Sequence, residues 1–387
     1  MKVLLTDGSH KNTLAIIRYL GKEGYHIDIL HHKKSAPAYS RYCNKLIICP
    51  DVHNEFAYFN FILNLVQKQK YEILIPVGTK AIEILSRHLT ELHQFVKIEL
   101  CPYNTIRIAL EKVLTFKYAE MNDIRHPKTI YPNNIEEAVT LSEKLTYPVI
   151  IKSSNEGFTK FPTIYVRDRA QLVRELNTLE KSEPETFQKC FPLIQERIFG
   201  KGYGFFAIYQ NGVCKKVFMH ERIRENPILG GVSTCARSYY DIKLLEAGRK
   251  VMDSLQWHGQ VMVEFKKDDK DGEYKLIEIN PKFWGSLELS LSSGMNFALF
   301  LCEMAKGKIL DYCDKYNRKR IFLWIAAPHG ELYRLFQKPS DIFTVIYDWI
   351  RFNSRSDVWI SDIKPTIVQF IYFLYFIKDT IKSYIKK

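Results

Sequence analysis

Short apolar runs alternate with amphipathic stretches over the first hundred residues. Val3–Thr6 is a compact apolar strand, followed by a polar turn from Asp7 to Asn12, and Thr13–Lys22 carries Leu14, Ile17 and Leu20 at helical spacing. Gly24 closes that helix, and Tyr25–Leu30 predicts a second strand. Ile73–Pro76 predicts another, leading through Val77-Gly78-Thr79 into a helix with Ile82, Ile84 and Leu85. Strands alternating with helices predict a doubly wound parallel sheet over residues 1–103, an α/β unit. Ligands of such sheets gather at the carboxyl ends of the strands. The turns after Thr6 and Pro76 are therefore candidate edges of a cleft, or else ordinary strand-to-helix turns. Asp7-Gly8-Ser9 is not a GxGxxG fingerprint, which argues against a dinucleotide.

The pattern changes after Pro102. Asn104–Asn122 predicts a helix, Thr129–Ile130 a short strand, Asn134–Leu145 a helix, and Pro148–Ser153 a strand carrying a lysine at its end. Strand candidates then crowd together at Thr163–Val166, Leu193–Arg197, Phe205–Tyr209, Val213–Met219, Val261–Lys267 and Tyr274–Glu278, with a helix at Ile242–Leu255. That density predicts an antiparallel sheet with helices on one side, an α+β arrangement. Beyond Lys308 a smaller, aromatic-rich tail begins.

Composition narrows the class. The chain has 387 residues, enough for two or three packed units, and its 46% hydrophobic and 26% charged content is that of a globular protein. The net charge of +13 comes from Lys and Arg scattered among acids. No RNA-module or helix-turn-helix pattern accompanies it. A basic surface on an enzyme that handles phosphates is preferred to a nucleic-acid partner. The eight cysteines form no CxxC pair and no zinc spacing, and the N-terminus is too polar for a signal peptide. A reducing, cytoplasmic setting is expected. No run reaches the roughly 18 apolar residues of a spanning helix.

The sharpest chemical signal lies at Val261–Lys266 and Tyr274–Phe283, two β-prone stretches around the polar turn Asp268–Glu273. On such a hairpin Glu264 faces Glu278, with Asn280 two residues on and on the same face. Two carboxylates held together repel unless a cation lies between them, and two acids with an amide oxygen suit magnesium. Solvated acids paired with Lys266 and Lys275 are the bland alternative. Lys152, ending Tyr147-Pro148-Val149-Ile150-Ile151, is followed by Ser153-Ser154-Asn155-Glu156-Gly157, a combination suited to phosphate; a snorkelling lysine is the alternative. Gln195-Glu196-Arg197-Ile198 then runs into Gly200, Gly202 and Gly204, where backbone can approach a flat ligand. Arg222 beside Gly230, Gly231 and Ser233 forms a candidate anion cradle, or a solvated hairpin loop. His220 is a candidate base, although a lone histidine is more often structural.

Taken in order, Lys112, Lys152 on YPVIIK, the QERI stretch, Glu264 in VMVEFK and IEINPKFWGS resemble the ATP-grasp superfamily over roughly residues 1–310. The stretch HERIRENPILGGVSTCARS is similar to its carboxylate–amine ligase-like branch. The resemblance implies an N-terminal Rossmann-like (pre-ATP-grasp) domain at 1–103. It implies an ATP-grasp domain at 104–310, with lobes at 104–190 and 191–310, and leaves a helical accessory region at 311–387. It further implies that Lys112 and Lys152 grip the phosphates of ATP under a flap at 153–158 that includes Ser153 and Gly157. Gln195, Glu196, Arg197 and Ile198 form the adenine hinge, through the Glu196 carbonyl and the Ile198 amide. Glu264, Glu278 and Asn280 hold one or two Mg2+ ions, with Mn2+ as an alternative. The residues themselves make Arg222, with Gly231 and Ser233, a candidate cradle for a carboxylate or acyl phosphate, and Arg222 is favoured over His220, a candidate base for the amine. Lys282 stands where the family usually has an arginine, which keeps the charge and loses the planar fork. Tyr203 lies where the usual acidic ribose contact is expected.

The implied function is ATP-dependent joining of a carboxylate to an amine through an acyl phosphate, on small-molecule substrates. A phosphotransferase on the same fold, or an ATP-binding regulatory protein, are the alternatives. In the tail, Pro365–Ile377 is apolar and aromatic and precedes Lys378, Lys382, Lys386 and Lys387. Peripheral membrane contact through residues 365–387 is one expectation. A helix docked on the enzyme core or on the second subunit of a homodimer is the other.

Overall fold

A computed structural model describes residues 1–154, 161, 163–228 and 231–385. The first sheet contains β1 (Lys2–Leu5), β2 (His26–His31), β3 (Lys45–Ile48) and β4 (Ile73–Ile75), all parallel, in the order β3-β2-β1-β4. Val3, Leu4 and Leu5 are wholly buried, as a central parallel strand covered on both faces requires. Helix Lys11–Lys22 buries Leu14, Ile17 and Leu20, and Ile17 and Leu20 share a core with Val3 and Leu5 of that sheet.

A second, antiparallel sheet contains β5 (Thr129–Ile130), β6 (Val149–Lys152), β7 (Ile164–Val166) and β8 (Leu193–Glu196), in the order β5-β8-β6-β7. Helix Arg169–Ser182 covers one face with Leu172, Leu176 and Leu179, spaced one helical turn apart. Asn134 and Asp168 cap helices Ile135–Leu141 and Arg169–Ser182 through their side-chain oxygens.

The third sheet is larger: β9 (Gly202–Gln210), β10 (Val213–Asn226), β11 (Val232–Ser238), β12 (Gly259–Lys267), β13 (Tyr274–Asn280), β14 (Ile321–Leu323) and β15 (Ser354–Ser356). Its order is β13-β12-β9-β10-β11-β14-β15.

Three expectations are revised here. The helix foreseen over Asn104–Asn122 is two helices, Tyr103–Leu110 and Lys112–Met121, separated by Glu111 in an extended conformation. The Lys112 amide donates to the Ser154 carbonyl at 2.9 Å, and Arg107 Nε holds the Glu111 carboxylate at 2.6 Å. Second, the stretch after Met219 is not a loop but the distal half of β10, paired with β11 from His220 to Asn226. Third, residues 311–387 are not wholly helical. They place β14 antiparallel to β11, and β15 parallel to β14, at one edge of the large sheet.

A buried ion pair fastens this C-terminal segment to the first domain. Arg18, wholly enclosed, meets Asp362 Oδ2 at 2.9 Å through Nε, and donates to the carbonyls of Asp357 and Asp362 at 2.9 and 3.0 Å. Ser40 Oγ and the Arg41 amide complete the shell around the Asp362 carboxylate, at 2.8 and 2.9 Å. Removing one member of such a pair leaves the other charged and dry, which costs more than the pair itself contributes. Asp362→Ala is expected to lower the unfolding free energy by about 3–5 kcal/mol, measured by urea denaturation; a loss within error would show that the contact is dispensable.

Candidate active site

A cavity of about 780 Å3 opens between the second and third sheets. Lys112, Lys152, Ser153, Gln195, Glu196, Arg197, Ile198, Arg222, Gly231, Ser233, Glu264, Glu278, Asn280 and Lys282 all line it. Gly157 and most of the segment 153–158 lie outside the described residues, as does Gly230.

The floor is the β12–β13 hairpin. Its register sets Glu264 directly opposite Glu278, and Met262 opposite Asn280, with a bulge just after Glu264. The Asn280 amide nitrogen donates to Glu278 Oε1 at 2.7 Å, leaving the amide oxygen as the end that can ligate. Lys112 Nζ stands 3.6 Å from the other oxygen, Glu278 Oε2. Arg222 donates to Glu264 Oε2 and, at 3.0 Å, to Glu225 Oε1.

Burial raises the pKa of both acids, but their neighbours separate them. At Glu278 it is outweighed by Lys112 and Lys282, helped by the Asn280 bond and Lys152, and the group is brought down to about 2. Glu264 stays above the ordinary carboxylate range, because burial and the nearby Glu278 and Glu225 charges outweigh Arg222. Two hard carboxylates and one amide oxygen, with no soft donor among them, fit magnesium, which keeps several waters and takes few protein ligands. Among the described residues no cluster of three His, Cys, Asp or Glu side chains gathers.

The opposite wall is β6 and β8. Lys152 Nζ bonds Gln195 Oε1 at 3.2 Å, and Gln195 Nε2 is held by Thr129 Oγ1 at 2.8 Å. Burial, with the repulsion of Lys112, lowers the Lys152 pKa to about 8. Its charge is poorly compensated until an anion arrives. At the hinge the Glu196 carboxylate turns to the Thr146 amide at 2.7 Å, so its side chain is occupied locally. The Arg197 guanidinium lies over the rings of Tyr165 and Phe199, 4.8 and 4.6 Å from their centroids. Lys266 Nζ reaches the Ile198 carbonyl at 3.3 Å, a tie between the two sheets.

Three expectations about side chains change. His220 is wholly buried against Phe206, with ring centroids 4.7 Å apart, and does not line the cavity. Burial and the adjacent Arg222 hold its pKa well below the usual value, so it is a neutral packing residue and not an accessible base. Arg222 is not an open cradle: both acids engage it, and its Nη1 lies 3.4 Å from the Gly231 carbonyl. Tyr203 packs between Tyr239 and Tyr274, facing away from the cavity. Sequence reasoning also missed residues. Lys266 was identifiable, since it alternates with Glu264 on one face of β12. Glu225, Trp284, Ser286 and His329 line the cavity through loops and a strand extension that no local pattern announced.

Comparisons agree with this arrangement. Residues 222–323 match a family model described as ATP-grasp in the biosynthetic pathway with Ter operon. The chain is 23% identical over 296 residues to a D-aspartate ligase of Enterococcus faecium, covering 68% of this chain and 67% of that one. The biotin carboxylase domain of Hydrogenobacter thermophilus 2-oxoglutarate carboxylase, solved with MgADP, ADP and bicarbonate, has TM-score 0.66 and 16% identity over 83% of this chain and 73% of that one. An L-amino acid ligase of Bacillus licheniformis has TM-score 0.62 and 13% identity over 80% and 75%. The two-sheet clamp over an acidic hairpin and two lysines is the ATP-grasp fold.

The Lys152 ammonium generates a prediction. It is protonated below about pH 8 and neutral above it. ATP affinity should therefore hold below that pH and fall about tenfold per pH unit above it. Equilibrium titration with a non-hydrolysable ATP analogue checks this; Lys152→Gln should bind more weakly and with no such slope.

Proposed function

We propose that the protein is an ATP-dependent ligase that joins the carboxylate of one small molecule to the amine of another, with an amino acid on at least one side. What supports this reading above all is the convergence of Glu264, Glu278, Asn280, Lys112 and Lys152 on one cavity, from elements far apart in the chain. Similarity to a D-aspartate ligase and to an L-amino acid ligase supports the substrate class.

The chemistry has two stages. A substrate carboxylate oxygen attacks the γ-phosphorus of ATP; the new O–P bond forms as the bond to ADP breaks, giving an acyl phosphate. The amine nitrogen then attacks the acyl carbon, the C–N bond forms, the C–O bond to phosphate breaks, and the amine loses a proton. Lys112 and Lys152 neutralise charge on the transferred group and fix it in line between donor and acceptor. Glu264, Glu278 and Asn280 hold magnesium, which when bound draws charge from the phosphate oxygens. Lys282 sits on the same wall as a further cation for the acyl phosphate. Arg222, which lines the same cavity, would add positive charge for that anion. The Arg222 guanidinium, with Asn226, Pro227, Val232 and Ser233 on the same rim, screens the intermediate from water.

Glu278→Gln is expected to lower turnover by on the order of 10²-fold or more, read as ADP release with a panel of amino acids and amines. ADP release that needs only one of the two substrates would favour a phosphotransferase, and near-normal turnover would remove Glu278 from the metal set.

The proposal extends to partners. The run expected to be too short to span belongs to the helix Ile363–Ile385, and Ile360–Thr380 is long and apolar enough to cross a membrane by length and composition. One stripe, Pro365, Gln369 and Phe373, packs on the protein, with Phe373 4.9 Å from the Tyr333 ring. Ile367, Phe370, Ile371 and Leu374 face outward, with Lys378 and Lys382 exposed beyond them. These features support peripheral contact between residues 365–387 and an anionic membrane surface. Ile371→Glu with Leu374→Glu should abolish flotation with phosphatidylglycerol vesicles at unchanged mass; a fall from dimer to monomer would place a second copy on that face instead.

A further inference from the structure

A second cavity, of about 600 Å3, lies on the far side of the large sheet's edge, among helix Lys11–Lys22, β14 and β15. Three cations line it, Lys22, Arg320 and Arg355, and none of its described lining residues is acidic. Among the described residues none of the three has a carboxylate within ion-pair distance. Arg320 Nε is buried without a hydrogen-bond partner in the protein, and its Nη1 donates to the Asn353 carbonyl at 3.2 Å. Arg355 spends Nη1 on the carbonyls of Ser354 and Phe352, at 2.7 and 3.4 Å. The acids of the same segment are committed elsewhere. Asp357 accepts from the amides of Ile325, Ala326 and Ala327, and Asp362 holds Arg18.

The walls are aromatic. Lys22 Nζ lies 4.3 Å from the Trp359 ring centroid, Tyr19 packs edge-on against Trp359 at 5.4 Å, and Trp349 Nε1 bonds Ser356 Oγ at 3.3 Å. Gathering two guanidiniums and an ammonium without a counter-charge is unfavourable: burial and the neighbouring Arg355 each disfavour the charged form of Arg320. An oxyanion removes that cost, and guanidiniums favour phosphate because their planar N–H groups match its oxygens. Flat rings beside the cations accommodate an apolar or aromatic body attached to it.

We propose that this cavity is a second ligand site, separate from the ATP cleft, for a phosphate-bearing molecule held by Arg320, Arg355 and Lys22. The phosphate has two natural sources, a soluble phosphomonoester and a lipid headgroup. The neighbouring surface admits the second, since Phe352 is 94% exposed and Trp349, at 45% exposure, lies beside the mouth.

The test uses the full-length protein with phenyl phosphate as soluble probe and phosphatidylcholine vesicles with or without phosphatidic acid as the lipid probe. Saturable calorimetric binding of phenyl phosphate is expected if the source is soluble. Cosedimentation that requires phosphatidic acid is expected if it is a headgroup. In either case Arg355→Gln, an exposed position that should not disturb folding, weakens binding by roughly tenfold, and adding Arg320→Gln abolishes it. Affinity for a non-hydrolysable ATP analogue stays unchanged in both variants, and that analogue does not displace the phosphate probe. Binding that is absent for both probes, indifferent to Arg355→Gln and to the double variant, or displaced by the ATP analogue would overturn the proposal. None of these readouts depends on turnover, so failure here leaves the ligase reading standing, and failure of that reading leaves this one.

Discussion

The repulsion between Glu264 and Glu278 is the constraint around which the site is built. Antiparallel pairing sets the two carboxylates directly across from one another, in a largely dry environment where like charges interact strongly. The fold answers with cations from three other elements: Lys112 from a helix start, Arg222 from β10, and Lys152 from the facing sheet. Each answers only part of the charge. Glu278 is well compensated, while Glu264 is not, and the Lys152 ammonium is itself short of negative charge. A magnesium-bound triphosphate would bring to this cavity both kinds of charge that it lacks. The free protein thus holds an electrostatic arrangement that such a ligand would complete, in keeping with preorganisation of charged groups ahead of chemistry.

Much of this was legible in the sequence because hairpin chemistry is local. Alternation along Val261–Lys267 and Tyr274–Asn280, with a polar turn between, predicts which residues share a face, and the register follows. Lys152 and the Gln195–Ile198 stretch were readable for the same reason: short strands with their functional groups at the ends. The parallel sheet of the first domain followed from continuous apolar runs, which need covering on both faces.

What escaped was set by long-range packing. Nothing in the periodicity of residues 104–122 signals a break, since Glu111 is an acceptable helix former and its extended backbone is imposed by contacts to Ser154 and Arg107. The strands at Ile321–Leu323 and Ser354–Ser356 are three residues each, too short to carry a pattern, and exist because β11 offers an open edge. His220 looked chemical because of its neighbours in sequence. Its position opposite Gly204, where a side chain would come within 3.0 Å of its ring, shows that the strand partner left room only for packing.

The interruption at Glu111 has a mechanical meaning. Because the main-chain N–H of Lys112 is anchored to the carbonyl of Ser154, the residue whose ammonium faces Glu278 and the chain just after β6 are tethered through a peptide-to-peptide contact. An uninterrupted helix would have spent that N–H on its own preceding turn and left the two parts to move separately. As built, the backbone at Ser154 and the start of the helix that carries Lys112 are held in one fixed relation.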